Sequence, residues 1–172
     1  MEKGYVHVYT GDGKGKTTAA FGLALRAAGA GLKVWIGQFV KGCEYSEHGA
    51  LRRFEDLVTI KQFGRSCFIK SEPEPEDIKL ARKGLEEAGK VIASGKYRVV
   101  ILDEACIAVH FNLFTVEELL KVIEKKPPDI EIIITGRNAP SELIDAADLV
   151  TEMREIKHYY TKGVRARKGI ES

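Results

Sequence analysis

The sequence predicts an α/β fold, a mostly parallel sheet with helices on both faces, and three observations carry that prediction. Short β-branched apolar runs alternate with helical patterns along the chain, as in successive βαβ units. The run Val99, Val100, Ile101, Leu102 is apolar without alternation, which suits a strand covered on both faces. The first run passes directly into a glycine-rich turn and then a helical pattern.

Taken in order, strands are expected at 5–9, 32–39, 57–63, 97–102 and 130–135, with a weaker sixth at 149–153. The Ala-rich segment 17–29 reads as a helix that stops at Gly29, with Gly31 just beyond. Segment 76–94 places Ile78, Ala81, Leu85, Ala88, Val91 and Ile92 mostly three or four residues apart, the spacing of an amphipathic helix. Segment 115–126 opens with Thr115 and Glu118, a capping-box pattern, and stops before Pro127 and Pro128. A short helix is expected at 141–147, after Pro140. Segments 40–49 and 64–75 read as loops with freedom to move. The polar, basic segment from about residue 154 is expected to be mobile, or to pack beside an anionic ligand.

The 172 residues fit one compact α/β domain, long enough to bury roughly two-thirds of its unfolded surface without disulfide staples. Lys plus Arg number 27 against 25 Asp plus Glu, a balance that argues against a protein built to grip nucleic acid. No apolar run approaches the roughly 20 residues that span a bilayer, and no signal-peptide pattern opens the chain. Cys43, Cys67 and Cys106 are widely spaced and form neither a disulfide framework nor a zinc motif. His7, His48, His110 and His158 lack paired metal spacing, and Trp35 and Phe39 read as core. A cytoplasmic protein is expected, with no membrane and no nucleic acid among its partners.

The turn reads Thr10-Gly11-Asp12-Gly13-Lys14-Gly15-Lys16-Thr17-Thr18. Its glycines let successive backbone N–H groups face one anion, and the following helix adds its positive end. Lys16 offers charge to phosphate oxygens, and the Thr17 hydroxyl is a magnesium ligand of the usual kind. The strict pattern wants glycine at Thr10; the rest is intact. The expected arrangement is therefore P-loop NTPase-like (RecA-like). Asp103 and Glu104 close the buried strand, where such folds place an acidic residue that helps hold magnesium; spacing alone does not say which of the two. Arg137 follows the strand at 130–135, and strand C-termini converge on one edge. On spacing it is equally a surface arginine or a stabiliser of triphosphate charge.

Taken together, YTGDGKGKTTAAFGLALRA, QFVKG, ILDE, ITGR and the ending TEMREIKHYYTKGVRARKGIE resemble the ATP:corrinoid adenosyltransferase family of cobalamin synthesis and salvage. The resemblance runs from about Tyr5 to the C-terminus. It implies transfer of the 5′-deoxyadenosyl group of ATP to the cobalt of a reduced corrinoid (cob(I)alamin or cobinamide), with triphosphate leaving. It implies that Gly11, Asp12, Gly13, Lys14, Gly15, Lys16, Thr17 and Thr18 cradle the triphosphate. Thr17 and Glu104, with Asp103 beside them, would hold Mg2+. Lys16 and Arg137 would act catalytically, and Arg26 would contact ATP. It further implies a homodimer and a separate reductase for the cobalt. Many members carry a GFTW-like segment whose aromatics close on the corrinoid; here Ser66-Cys67-Phe68-Ile69 stands in its place, which leaves Phe68 to fill that role. Cys106 and Ile107 stand where several members have Asn and an aromatic. Some relatives carry an N-terminal extension over the site, whereas this chain begins almost at its first strand, so a lid, if there is one, is expected to come from 40–49 or 64–75. The open alternatives are a small-molecule kinase or ATPase, which would release ADP, and a nucleotide-binding regulator without catalysis.

Overall fold

The computed structural model describes residues 2–43, 45–65 and 72–171. Six strands form one sheet, β1 (Val6–Thr10), β2 (Val34–Phe39), β3 (Val58–Phe63), β4 (Val99–Asp103), β5 (Glu131–Thr135) and β6 (Leu149–Glu152). Their spatial order is β3-β2-β4-β5-β1-β6. Every pairing is parallel, so the mostly parallel sheet expected from sequence is parallel throughout. All the strands therefore end on one edge, and the loop after β1 lies beside the ends of β5 and β6.

Both faces of the sheet are covered except along β6, which is exposed at every residue. Val34, Ile36, Val99, Ile101 and Ile133 pack against α1 (Lys16–Gly29) and the Leu51 end of α2 (Ser46–Leu51). Val8, Trp35, Val100, Leu102, Ile132 and Ile134 face the opposite way. There they meet α3 (Pro75–Ala93), α4 (Ala105–His110), α5 (Val116–Ile123) and α6 (Ser141–Ala146). Alternate residues of β4 thus enter two different cores, which is why that strand shows no polar alternation. Trp35 and Phe39 are core residues, joined by Phe63 and Phe114 in tilted and edge-on ring contacts. Gly84 lets α3 approach this cluster: a Cβ there would stand 2.6 Å from the Phe63 ring.

The helix boundaries follow local chemistry. Thr115 Oγ1 accepts from Glu118 N, and the Glu118 carboxylate accepts from Thr115 N, so the expected capping box forms. Helix α5 nevertheless ends at Ile123 rather than 126, because Pro127 and Pro128 disfavour helical conformations just before them. Asp77 starts α3: it accepts from Glu74 N and from the Arg65 guanidinium through both oxygens. Two short helices go beyond the sequence reading. Helix α2 lies across the end of the expected loop 40–49, and α4 follows Glu104 directly. Of the other expected loop, 64–75, residues 66–71 lie outside the described residues, and Phe68 with them.

Candidate nucleotide site

Strand β1 delivers the chain into the glycine loop, and the Lys16 N-terminus of α1 closes it. Gly11 has φ +93°, and a Cβ there would lie 2.4 Å from the Met153 carbonyl. Side chains are thus excluded on both conformational and steric grounds. The loop is seated on the segment after β6, with Gly13 N donating to Met153 O at 2.7 Å and Met153 N donating to Thr10 O at 2.8 Å. Lys16 folds over the loop and donates from Nζ to the carbonyls of Gly11 at 2.5 Å and Gly13 at 2.7 Å. Burial and the nearby Arg137 guanidinium push its ammonium below the ordinary lysine value.

Asp103 ends β4 at 0% exposure, and its two oxygens accept from four side chains. Oδ1 takes the hydroxyls of Thr17 (2.9 Å) and Thr135 (2.7 Å). Oδ2 takes Gln38 Nε2 (2.9 Å) and Lys41 Nζ (3.0 Å). Burial opposes its charge, but the Lys41 ammonium and these hydrogen bonds outweigh it and hold the carboxyl below the usual range. The next carboxyl behaves oppositely. Burial, reinforced by the Asp103 charge and opposed by Lys41, raises Glu104 above the ordinary glutamate value. Glu104 adopts left-handed φ 60°, a conformation worth roughly 1–3 kcal/mol of strain in a non-glycine residue. Its N–H donates to Thr135 Oγ1 at 3.0 Å.

Gln38 is held from behind by His48. The ring accepts from Tyr45 N at Nδ1 (2.8 Å), which leaves Nε2 as the protonated nitrogen, 2.6 Å from Gln38 Oε1. The donors therefore run one way, from Tyr45 N through His48 and Gln38 to Asp103. This relay ties α2 to the sheet edge in place of apolar periodicity, and explains why the sequence pattern missed that helix.

A cleft of about 960 Å³ opens above these groups, near the upper end of small-ligand sites. Of the expected site residues, Asp12 through Thr18, Glu104 and Arg137 line it. Val40, Lys41, Tyr45, Phe21, Ile107 and Phe111 give it a partly apolar wall. Gly11, packed against Met153, is not among the lining residues, and Asp103 is buried behind Thr17 and Glu104. Arg26 lies exposed in the last turn of α1 and is not among the lining residues. Cys106 is buried, with its thiol pushed up to about 12 chiefly by burial, so it offers no nucleophile at neutral pH. The basic C-terminal segment reaches the loop: Lys14 Nζ donates to Ile170 O (2.9 Å) and Glu171 Oε1 (3.1 Å). Tyr159 and Arg167 hold the same Glu171 carboxylate, and His158, Ile170 and Glu171 join the cleft lining.

Sequence reasoning quoted Gln38 and Lys41 within QFVKG and Thr135 within ITGR, and named His48, but gave none of the four a role at the site. The available signal was a polar residue inside or ending an otherwise apolar strand, Gln38 in VWIGQF and Thr135 in EIIIT. Buried polar groups require partners. Among the described residues, no group of three or more His, Cys, Asp or Glu is placed to hold a metal, and no helix is long and apolar enough to cross a membrane.

The family model described as ATP:corrinoid adenosyltransferase BtuR/CobO/CobP matches residues 2–172. A corrinoid adenosyltransferase of Sinorhizobium sp. is 36% identical over 99% of this chain and 81% of its own length. One of Pseudomonas aeruginosa is 35% identical over 99% of this chain and 84% of its own. One of Escherichia coli is 34% identical over 99% and 86%.

Proposed function

The chain belongs to the ATP:corrinoid adenosyltransferase family, and from that premise we propose that it moves the 5′-deoxyadenosyl group of ATP to the cobalt of a reduced corrinoid, releasing triphosphate. The observation that carries this reading is a glycine loop, a cationic pair and a strand-end carboxylate on one cleft, in a chain that matches the family model from 2 to 172. A kinase or ATPase, and a regulator without catalysis, are not favoured by that membership.

The reduced cobalt is itself the nucleophile, so no protein nucleophile is required. What the chain must supply is orientation of the ribose 5′ carbon and neutralisation of the leaving triphosphate. In this reading the loop from Gly11 to Thr18 cradles the triphosphate on backbone N–H groups and the α1 N-terminus. Lys16 and Arg137 meet the charge that develops as triphosphate departs, while Arg26, in the last turn of α1 and outside the cleft lining, is left without a contact to ATP in this reading. The apolar wall at Phe21, Ile107 and Phe111 suits the nucleoside or the corrinoid edge.

The donor set fits magnesium. Thr17 gives its hydroxyl proton to Asp103, which leaves oxygen lone pairs for a cation, and Glu104 presents a carboxylate to the cleft. These are hard oxygen ligands of the kind magnesium takes together with phosphate oxygens. Glu104 is then the direct ligand, and Asp103, with both oxygens already engaged, orients Thr17. Bound magnesium would spread the triphosphate charge and help fix its position.

The same reading takes the chain as one nucleotide-binding unit acting in the cytoplasm as a homodimer, with a separate reductase supplying cobalt(I). Incubation with ATP, magnesium and chemically reduced cobalamin or cobinamide is expected to give a light-sensitive adenosylated product. Its absence with both acceptors, while ATP still binds, would sink the reading.

A further inference from the structure

Lys41 is a further cation of this cleft, besides Lys16 and Arg137, and its surroundings are built to put it there. Its side chain is 14% exposed, with Nζ 3.0 Å from Asp103 Oδ2 and 3.4 Å from Glu104 Oε1. The same nitrogen donates to Thr17 Oγ1 at 3.2 Å. Thr17 has given its own proton to Asp103, so the ammonium sits on the lone pairs that a metal would need. The backbone confirms a fixed placement. Val40, immediately before Lys41, is β-branched yet held at φ 62°, a conformation such residues rarely adopt. Gly64 lets the β3 exit press against the same turn; a Cβ there would stand 2.5 Å from Lys41 N. A strained turn, a close backbone approach and three oxygen partners all converge on one ammonium.

We propose that Lys41 is a resident counter-cation, whose ammonium occupies the divalent-cation position between Thr17, Asp103 and Glu104, so that ammonium and metal exclude one another there. The inference rests on the magnesium-triphosphate reading of this cleft and adds its regulation. Without nucleotide, the ammonium balances two adjacent carboxyls and free metal binds poorly. A metal arriving with ATP gains phosphate oxygens as ligands, and Lys41, which also lines the cleft, turns toward the triphosphate. Lys41 thereby couples metal entry to nucleotide entry.

Mn2+ alone, without ATP or corrinoid, tests this by electron paramagnetic resonance of the free ion. Lys41→Met removes the charge at nearly constant length and is expected to bind Mn2+ at least tenfold more tightly than the unmodified chain. It should also gain a Mn2+-dependent rise in melting temperature that the unmodified chain lacks. Adding Glu104→Gln to Lys41→Met should abolish both gains, which a purely structural role for Lys41 would not predict. If Lys41→Met does not fold, Lys41→Gln, which keeps a donor to Asp103 without the charge, carries the same comparison. Unchanged or weaker Mn2+ affinity in the folded variant overturns the proposal. Because no corrinoid is present, that failure is distinct from failure of the unmodified chain to adenosylate cobalamin, which would overturn the function instead.

Discussion

The Thr17 hydroxyl donates to Asp103 Oδ1 at 2.9 Å across 86 residues of sequence. This bond joins the start of α1 to the end of β4; in the sheet, β5 lies between β4 and β1, the strand that leads into α1. It sets which way the threonine proton points, and hence which side of the oxygen is open to a cation.

Replacing Asp103 with Leu is expected to be severe. The change leaves the Lys41 ammonium and Gln38 amide without their shared acceptor, and breaking a buried pair from one side typically costs about 3–5 kcal/mol. Thermal or urea unfolding measures it. Asp103→Asn, which keeps the shape, should cost less and still weaken nucleotide binding.

Lys16→Ala is expected to abolish measurable ATP binding, read by calorimetry. Arg137→Ala tests a different step. If it meets the leaving triphosphate, turnover should fall roughly 10²–10³-fold, the usual loss for one stabilising donor, with a much smaller change in ATP affinity.

His48→Ala removes the donor that fixes Gln38 and should cost about 1–3 kcal/mol, the usual penalty for stranding a buried polar group. Hydrogen exchange should rise in α2 and the preceding turn before it rises in β4. His48→Gln, which keeps an N–H in reach, should recover part of the loss.

Asp77 predicts the acid limb of stability. The Arg65 hydrogen bonds chiefly, with the Glu74 N–H, hold its carboxyl below the ordinary value against the effect of burial. Its stabilisation is therefore complete above the unfolded carboxylate value of about 3.9 and lost as pH falls through the lower folded value. Asp77→Asn should be less stable than the unmodified chain at pH 7. The gap should close below about pH 4, as followed by chemical denaturation across pH.

Much of this was readable in the chain. The six strands, the cover on both faces and the loop from Gly11 to Thr18 followed from periodicity and glycine placement, because each is encoded within a short window. Strand-end convergence also put Glu104 and Arg137 on the same edge as the loop. Lys41, Gln38, His48 and Thr135 were hidden because their meaning is a matter of three-dimensional partners. Gln38 reads as an oddity in an apolar strand until Asp103 and His48 appear on either side of it. Helix α2 is held by that relay and by Leu51, so no stripe announced it. The contact of Glu171 with Lys14 joins residues 157 apart and could not be read from local pattern.

The identity of the phosphorus-containing product tests the central claim most directly. With ATP, magnesium and excess cob(I)alamin under anaerobic conditions, phosphorus NMR should show triphosphate formed in step with the adenosylated corrinoid. ADP with orthophosphate, or ADP with a phosphorylated acceptor, would contradict adenosyl transfer and return the chain to ordinary phosphoryl chemistry.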